Sequence, residues 1–159
     1  MADLFLSDIS VLLPDGAVAD HQDVSVESGR FQSIRPHQGP DGAVHGRVIS
    51  GCGKLLMPPL ADCHMHTGQQ LLKGRILDEL PMIWTRIMLP FESTLTPERM
   101  TLSAGLAALE MIASGTGAFI DAGSYHMEAA AQVYLRSGLR GILSASTMDQ
   151  PGLPPSIAQ

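Results

Sequence analysis

Between Leu55 and Ser144 the sequence alternates strand and helix signals in a fixed order, and this order restricts the chain to few folds. The apolar run from Leu55 that ends in His64 and His66 reads as a first strand. Thr96-Pro97-Glu98 then supplies an N-cap, a proline at the first helical position and an early acidic residue. In the helix that follows, Leu102, Leu106, Leu109 and Ala113 keep to one face, and Gly115 after Ser114 closes it as a C-cap glycine. Ala118-Phe119-Ile120 is the next strand, ending at Asp121-Ala122-Gly123. A second helix spans about Met127 to Ser137 and is closed by Gly138, before the strand Gly141-Ile142-Leu143-Ser144. Strand, helix, strand, helix, strand argues for parallel βαβ units with right-handed crossovers. A dinucleotide-binding α/β domain shares that order but needs a Gly-x-Gly-x-x-Gly turn after its first strand, which this chain lacks.

The chain before this region follows a different period. Leu4-Phe5-Leu6 and Val11-Leu12-Leu13 read as short strands before the turn Pro14-Asp15-Gly16, and Val24-Ser25-Val26 alternates before Glu27-Ser28-Gly29-Arg30 reverses the chain. Phe31 to Ile34 alternates again, Pro36 to Gly46 is a loop, and Val48-Ile49 is a last short strand. The pattern is that of a β-meander over residues 3–56, packed as a unit of its own. His21, His37 and His45 fall here without pairing or fixed spacing and read as solvated loop histidines.

The apolar run from Leu55 ends in Asp62-Cys63-His64-Met65-His66-Thr67-Gly68. On a strand, alternate side chains share a face, so His64 and His66 project together with Cβ atoms roughly 6 to 7 Å apart. That spacing suits two imidazoles converging on one metal ion, with Met65 pointing away. A His-x-His pair also arises by accident at a strand end; here it closes a buried strand where a loop begins, the position of the catalytic mouth in a β/α barrel. After it, Asp78 to Met88 reads as a helical piece with Leu80, Ile83, Trp84 and Ile87 at helical spacing. Lys73 and Arg75 read as a solvated turn, Asp121 as a turn former and His126 as a helix-start residue. Trp84 and Glu92 lie where barrel loops form a rim, and they are the candidates to stack on or hydrogen-bond to a substrate; a core or lid anchor is the alternative for Trp84, and a solvated carboxylate for Glu92.

The segment resembles the start of the amidohydrolase superfamily barrel, closest to the branch of cytosine deaminases, S-adenosylhomocysteine deaminases and chlorohydrolase-like enzymes. Gly53-Lys54-Leu55-Leu56-Met57-Pro58 resembles that family's lead-in, His64-x-His66 its metal motif, Leu71-Leu72-Lys73-Gly74 its next turn, Leu89-Pro90-Phe91-Glu92 its following loop and Ser114-Gly115-Thr116 its entry to the second strand. Pro59 departs from the glycine usual there. The resemblance implies the N-terminal part of a (β/α)8 barrel of the TIM type over residues 57–159, preceded over 1–56 by a small β-sandwich-like unit that C-terminal strands complete. It also implies a metal-dependent hydrolase that deaminates an amino-substituted heterocycle, with His64 and His66 as ligands of a divalent ion, zinc first and iron or manganese as alternatives. Glu92 matches a Pro-x-Glu of the resembled deaminases and is expected to bind substrate. The family's further histidines, aspartate and acid/base carboxylate have no counterpart in the sequence.

A complete β/α barrel needs about 250 residues, so 159 residues are expected to be a fragment or a split subunit, completed by a partner chain or a second copy, or else a catalytically incomplete remnant. With a net charge of −6 and no basic cluster, the surface that neutralises phosphates is absent and no nucleic-acid partner is expected. No signal-peptide pattern and no apolar run near the roughly 20 residues of a membrane span are found, which makes the cytoplasm the expected location. Cys52 and Cys63 do not form a Cys-x-x-Cys motif and are expected as reduced, partly buried thiols.

Overall fold

The structure, a computed structural model, describes residues 3–39, 44, 46–76 and 82–146. The chain divides into two compact units, Met1–Pro58 and Pro59–Gln159. Among the described residues no helix is long and apolar enough to cross a membrane.

The first unit is a five-stranded sheet of β1 (Leu4–Leu12), β2 (Val18–Glu27), β3 (Arg30–Pro36), β4 (Arg47–Ser50) and β5 (Leu55–Leu56), in the order β3-β2-β1-β4 with β5 also on β1. Two features differ from the expected meander. The separate strands read at Leu4 and Val11 are one strand, which is irregular at Asp8, where the backbone takes φ 58°. β4 and β5 then run parallel to β1, not back and forth. Leu6, Ile9, Val11 and Val24 form the buried cluster.

This sheet also places the two described histidines that were expected to be solvated. The His37 ring lies 2.8 Å from the fully buried carboxylate of Asp23, which also accepts the amides of Asp8, Gln38 and Gly39 at 2.8 to 3.1 Å. Burial alone would raise the carboxyl's pKa, but these donors outweigh it and hold Asp23 well below the usual carboxylate range. The same contact raises the pKa of His37. His21 sits on β2 with its Nδ1 2.7 Å from Asp8 Oδ1. His45 lies outside the described residues.

In the second unit β6 (Leu60–Met65), β7 (Thr116–Ser124) and β8 (Arg140–Ala145) form a parallel sheet in that order. The crossovers are α2 (Pro97–Ala113) and α3 (Met127–Ser137), and a shorter helix α1 (Leu89–Glu92) precedes α2. Thr96 caps α2, its hydroxyl accepting from the Arg99 amide at 3.3 Å, and Gly115 follows the end of the helix at φ 79°. The residues of the apolar run from Leu55 therefore divide: Leu55–Leu56 pair with β1, and the strand proper begins at Leu60. Pro59 lies against β7 at Gly117, where a Cβ would come within 2.6 Å of it, so only glycine fits opposite this proline.

The buried face of α2 is the reverse of the leucine stripe. Met100, Ser103, Ala104, Ala107, Ala108 and Met111 pack with Met65 and Phe119 of the sheet and with Met127, Ala130 and Tyr134 of α3, while Leu102 and Leu109 stand 59% and 67% exposed. Alanines bring the helix close to its sheet and neighbour, a fit that the three leucines would overfill. The opposite face of the sheet carries the register partners Ile120 and Ile142, both exposed.

The helical piece expected from Asp78 to Met88 is described only from Met82, since 77–81 lie outside the described residues. There the chain forms a π-helical turn over Trp84–Met88, with the Leu89 amide bonded to the Trp84 carbonyl, and continues as α1 to Glu92. Leu89-Pro90-Phe91-Glu92 is thus helix where a loop was expected. Pro90 tolerates this because it falls at the start of the new helical register, where its missing N–H is not needed.

Candidate metal centre

His64 is near the end of β6 and His66 is the extended residue just after it (φ −133°, ψ 99°). The pairing of β6 with β7 slips between Asp62 and Met65, a bulge of the kind that re-aims side chains at sheet ends. Met65 turns into the helix-side core, so its neighbours His64 and His66 project from the uncovered face. Their rings meet edge to face, with centroids 4.9 Å apart and the two Nε2 atoms 3.1 Å apart.

That separation fits two ligands of one ion. Bonds of about 2.05 Å place their nitrogens about 2.9 Å apart at a right angle and about 3.3 Å apart at the tetrahedral angle. Without an ion, at most one proton can lie between the two nitrogens. Among the described residues no group of three or more His, Cys, Asp or Glu side chains forms a metal cage. Cys63 and Cys52 are both exposed, contrary to the partial burial expected of them.

The turn after the pair is held by residues that local sequence patterns did not single out. A six-residue 3-10 turn, Thr67–Leu72, follows His66. Thr67 is fully buried; its amide donates to Asp121 Oδ2 at 2.9 Å and its hydroxyl donates to the same oxygen. Because the Thr67 proton is used there, the Tyr134 hydroxyl is the donor to Thr67 Oγ1, at 2.7 Å. Ser103 of α2 donates to the Thr67 carbonyl at 2.6 Å. Asp121 Oδ1 accepts from the Gly123 amide at 2.8 Å, and the Asp121 carbonyl accepts from Ser144 of β8 at 3.1 Å. Asp121 is therefore a buried junction rather than only a turn former. Burial, with the Asp121 carboxylate nearby, pushes the Tyr134 hydroxyl up to about 12.

Glu92 is buried, not solvated. Gln69 Nε2 donates to its Oε1 at 2.7 Å and the Ser124 hydroxyl donates to its Oε2. Gly68 fits between them because a Cβ there would meet Ser124 Oγ at 2.3 Å. Trp84 stands 47% exposed on the π-helical turn. Lys73 forms an ion pair with Glu110 at the surface, and His126 begins α3 with its Nε2 3.1 Å from the Leu95 carbonyl.

The histidine pair stands at the C-terminal end of the first strand of a parallel βαβ unit. No family model matches the chain. Over 129 residues it is 37% identical to a 5-methylthioadenosine/S-adenosylhomocysteine deaminase of Thermococcus kodakarensis, covering 80% of this chain and 29% of that protein. It is 35% identical over 148 residues to a 5'-deoxyadenosine deaminase of Methanospirillum hungatei, covering 89% of this chain and 32% of that protein. Among solved structures, an adenosine deaminase from Xanthomonas campestris with bound zinc superposes with a TM-score of 0.75 at 26% identity, over 89% of this chain and 33% of that one. The chain is similar in sequence and fold to deaminases of the amidohydrolase superfamily. It spans about a third of the length of the curated relatives it matches.

Proposed function

We propose that this chain supplies the first metal-binding strand of a deaminase that hydrolyses the exocyclic C–N bond of an amino-substituted heterocycle. The observation that carries this reading is the convergence of His64 Nε2 and His66 Nε2 to 3.1 Å on the uncovered face of the sheet. A divalent ion held by this pair, zinc by the softness of the donors and iron or manganese as alternatives, supplies Lewis acidity that lowers the pKa of water from about 15.7 toward 7.

The remaining roles belong to the chain's own side chains. His64 and His66 offer their Nε2 atoms as ligands. The half-exposed Trp84 ring offers a stacking surface to a flat heterocycle. Glu92 contacts substrate by exchanging its Gln69 or Ser124 donor for an N–H of the ring. Two imidazoles fall short of the three protein ligands usual in catalytic zinc sites, so turnover needs further donors and an acid/base group. The parallel order of β6, β7 and β8, with helices on one face, supports these strands as the opening of a (β/α)8 barrel. The exposed Ile120 and Ile142 on the other face support a second reading, a subunit that a partner chain or second copy completes.

The test follows ammonia release from aminated purines, pyrimidines and triazines with zinc, iron or manganese. The 159-residue chain alone should be silent. Joined to the C-terminal two thirds of a relative, it should turn over substrate in a metal-dependent way that the double variant His64→Ala, His66→Ala abolishes. Release that survives in the double variant would refute the role of the pair.

A further inference from the structure

We infer that Asp121, acting through Thr67, is a positioning residue that sets the ring of His66 against that of His64; the inference rests on the metal reading of this pair. His66 is the last residue before the 3-10 turn, so the direction of its side chain depends on what fixes the next peptide. Every polar group of Thr67 is engaged. Its amide and hydroxyl converge on Asp121 Oδ2, its hydroxyl also accepts from Tyr134, and its carbonyl accepts from Ser103. Thr67 and Ser103 are fully buried, and Asp121 and Tyr134 are 1% and 2% exposed.

The four residues come from four elements: the turn itself, α2, β7 and α3. Asp121 is also tied to β8 through its carbonyl and Ser144. Asp121 therefore gathers the end of β6 onto β7 through its carboxylate and holds β8 there through its carbonyl. A single buried carboxylate oxygen with two donors from one residue leaves that residue no second orientation without an unpaired buried group, which is costly. Among the described residues the His64 backbone, by contrast, has one side-chain anchor, its amide donating to Asp62 Oδ1 at 3.1 Å on the exposed strand. Thus His64 has latitude to adjust and His66 does not, and the Asp121–Thr67 clamp pre-sets the ligand angle before any ion arrives. Residues that orient metal ligands typically change metal affinity 10- to 100-fold when replaced.

The experiment compares the wild-type chain with Asp121→Asn, Thr67→Val, Thr67→Ser and Tyr134→Phe. Apparent Zn2+ affinity is measured by competition with a chromophoric chelator, and the metal-free proteins are examined for the ring-to-ring nuclear Overhauser effect between His64 and His66. Asp121→Asn and Thr67→Val should weaken Zn2+ by about 10- to 100-fold and lose the ring-to-ring signal, while Thr67→Ser, which keeps the hydroxyl, retains both. Tyr134→Phe removes one donor from the network and leaves the fold measurable if the harsher variants do not fold. It should weaken Zn2+ by several-fold. If the wild-type chain shows the ring-to-ring signal but binds no Zn2+, the metal reading fails while the clamp is judged on that signal alone. If folded Thr67→Val and Tyr134→Phe keep both the signal and wild-type Zn2+ affinity, the positioning role is overturned.

Discussion

Truncating Met100 and Leu109 of α2 to alanine should give opposite results to those a leucine-stripe reading would give. Met100 is fully buried among alanines and Phe119, so Met100→Ala removes its side chain beyond Cβ from a packed site and should cost about 2 to 5 kcal/mol. Leu109 is 67% exposed, leaving about a third of its side chain covered. A third of the roughly 1.5 to 3 kcal/mol gained by burying a leucine is about 0.5 to 1 kcal/mol. Alanine's better helix propensity returns a few tenths of that. The two variants should therefore differ at least twofold in cost. Urea unfolding of the 159-residue chain, followed by fluorescence of its single tryptophan, Trp84, reports on the unit that holds α2. Leu109→Lys should also be tolerated. Equal losses for Met100→Ala and Leu109→Ala, or collapse of Leu109→Lys, would refute the assignment of the alanine face to the core.

Thr96→Ala should destabilise the same unit by about 1 kcal/mol in that assay, because its hydroxyl caps the Arg99 amide. Tyr134, with a pKa raised from 10.0 to about 12, lends stability that is complete below pH 10 and is lost as pH rises toward 12; the loss is roughly 2 to 3 kcal/mol, and Tyr134→Phe should flatten the alkaline limb of the unfolding curve. In the first unit the lowered pKa of Asp23 gives stability that is lost as pH falls through the acid range below 3.8, and the raised pKa of His37 gives stability that is lost as pH climbs above 6.5. Protection of the Gln38 and Gly39 amides from hydrogen exchange, relative to their intrinsic rates, should be greatest between those limits, and His37→Gln should remove the upper one.

The alternation of strand and helix in the second unit was legible because its signals are local: a threonine cap, a proline at the first helical position and glycines after Ser114 and Ser137 fix α2 and α3 to within a residue or two. Burial was less legible. A helix apolar on two faces offers periodicity to either, and which one faces the sheet depends on how closely α3 approaches. The irregularity at Asp8 and the parallel return of β4 are non-local choices that alternation cannot encode. At the site, the pairing of His64 with His66 follows from a two-residue period, whereas Thr67 meets Asp121 across 54 residues and Tyr134 across 67. The one sequence cue to that network is an aspartate inside the apolar run from Ala118 to Gly123, where a charge must have buried donors.

The measurement that bears most directly on the account is a titration of Zn2+ into the 159-residue chain, followed through the ring 15N resonances of His64 and His66. The geometry predicts that both Nε2 signals shift together with one ion bound per chain, and that either His64→Ala or His66→Ala removes the response of the remaining ring. A response at one ring only, or binding of equal strength in the double variant, would contradict the claim that the pair is a metal-binding edge.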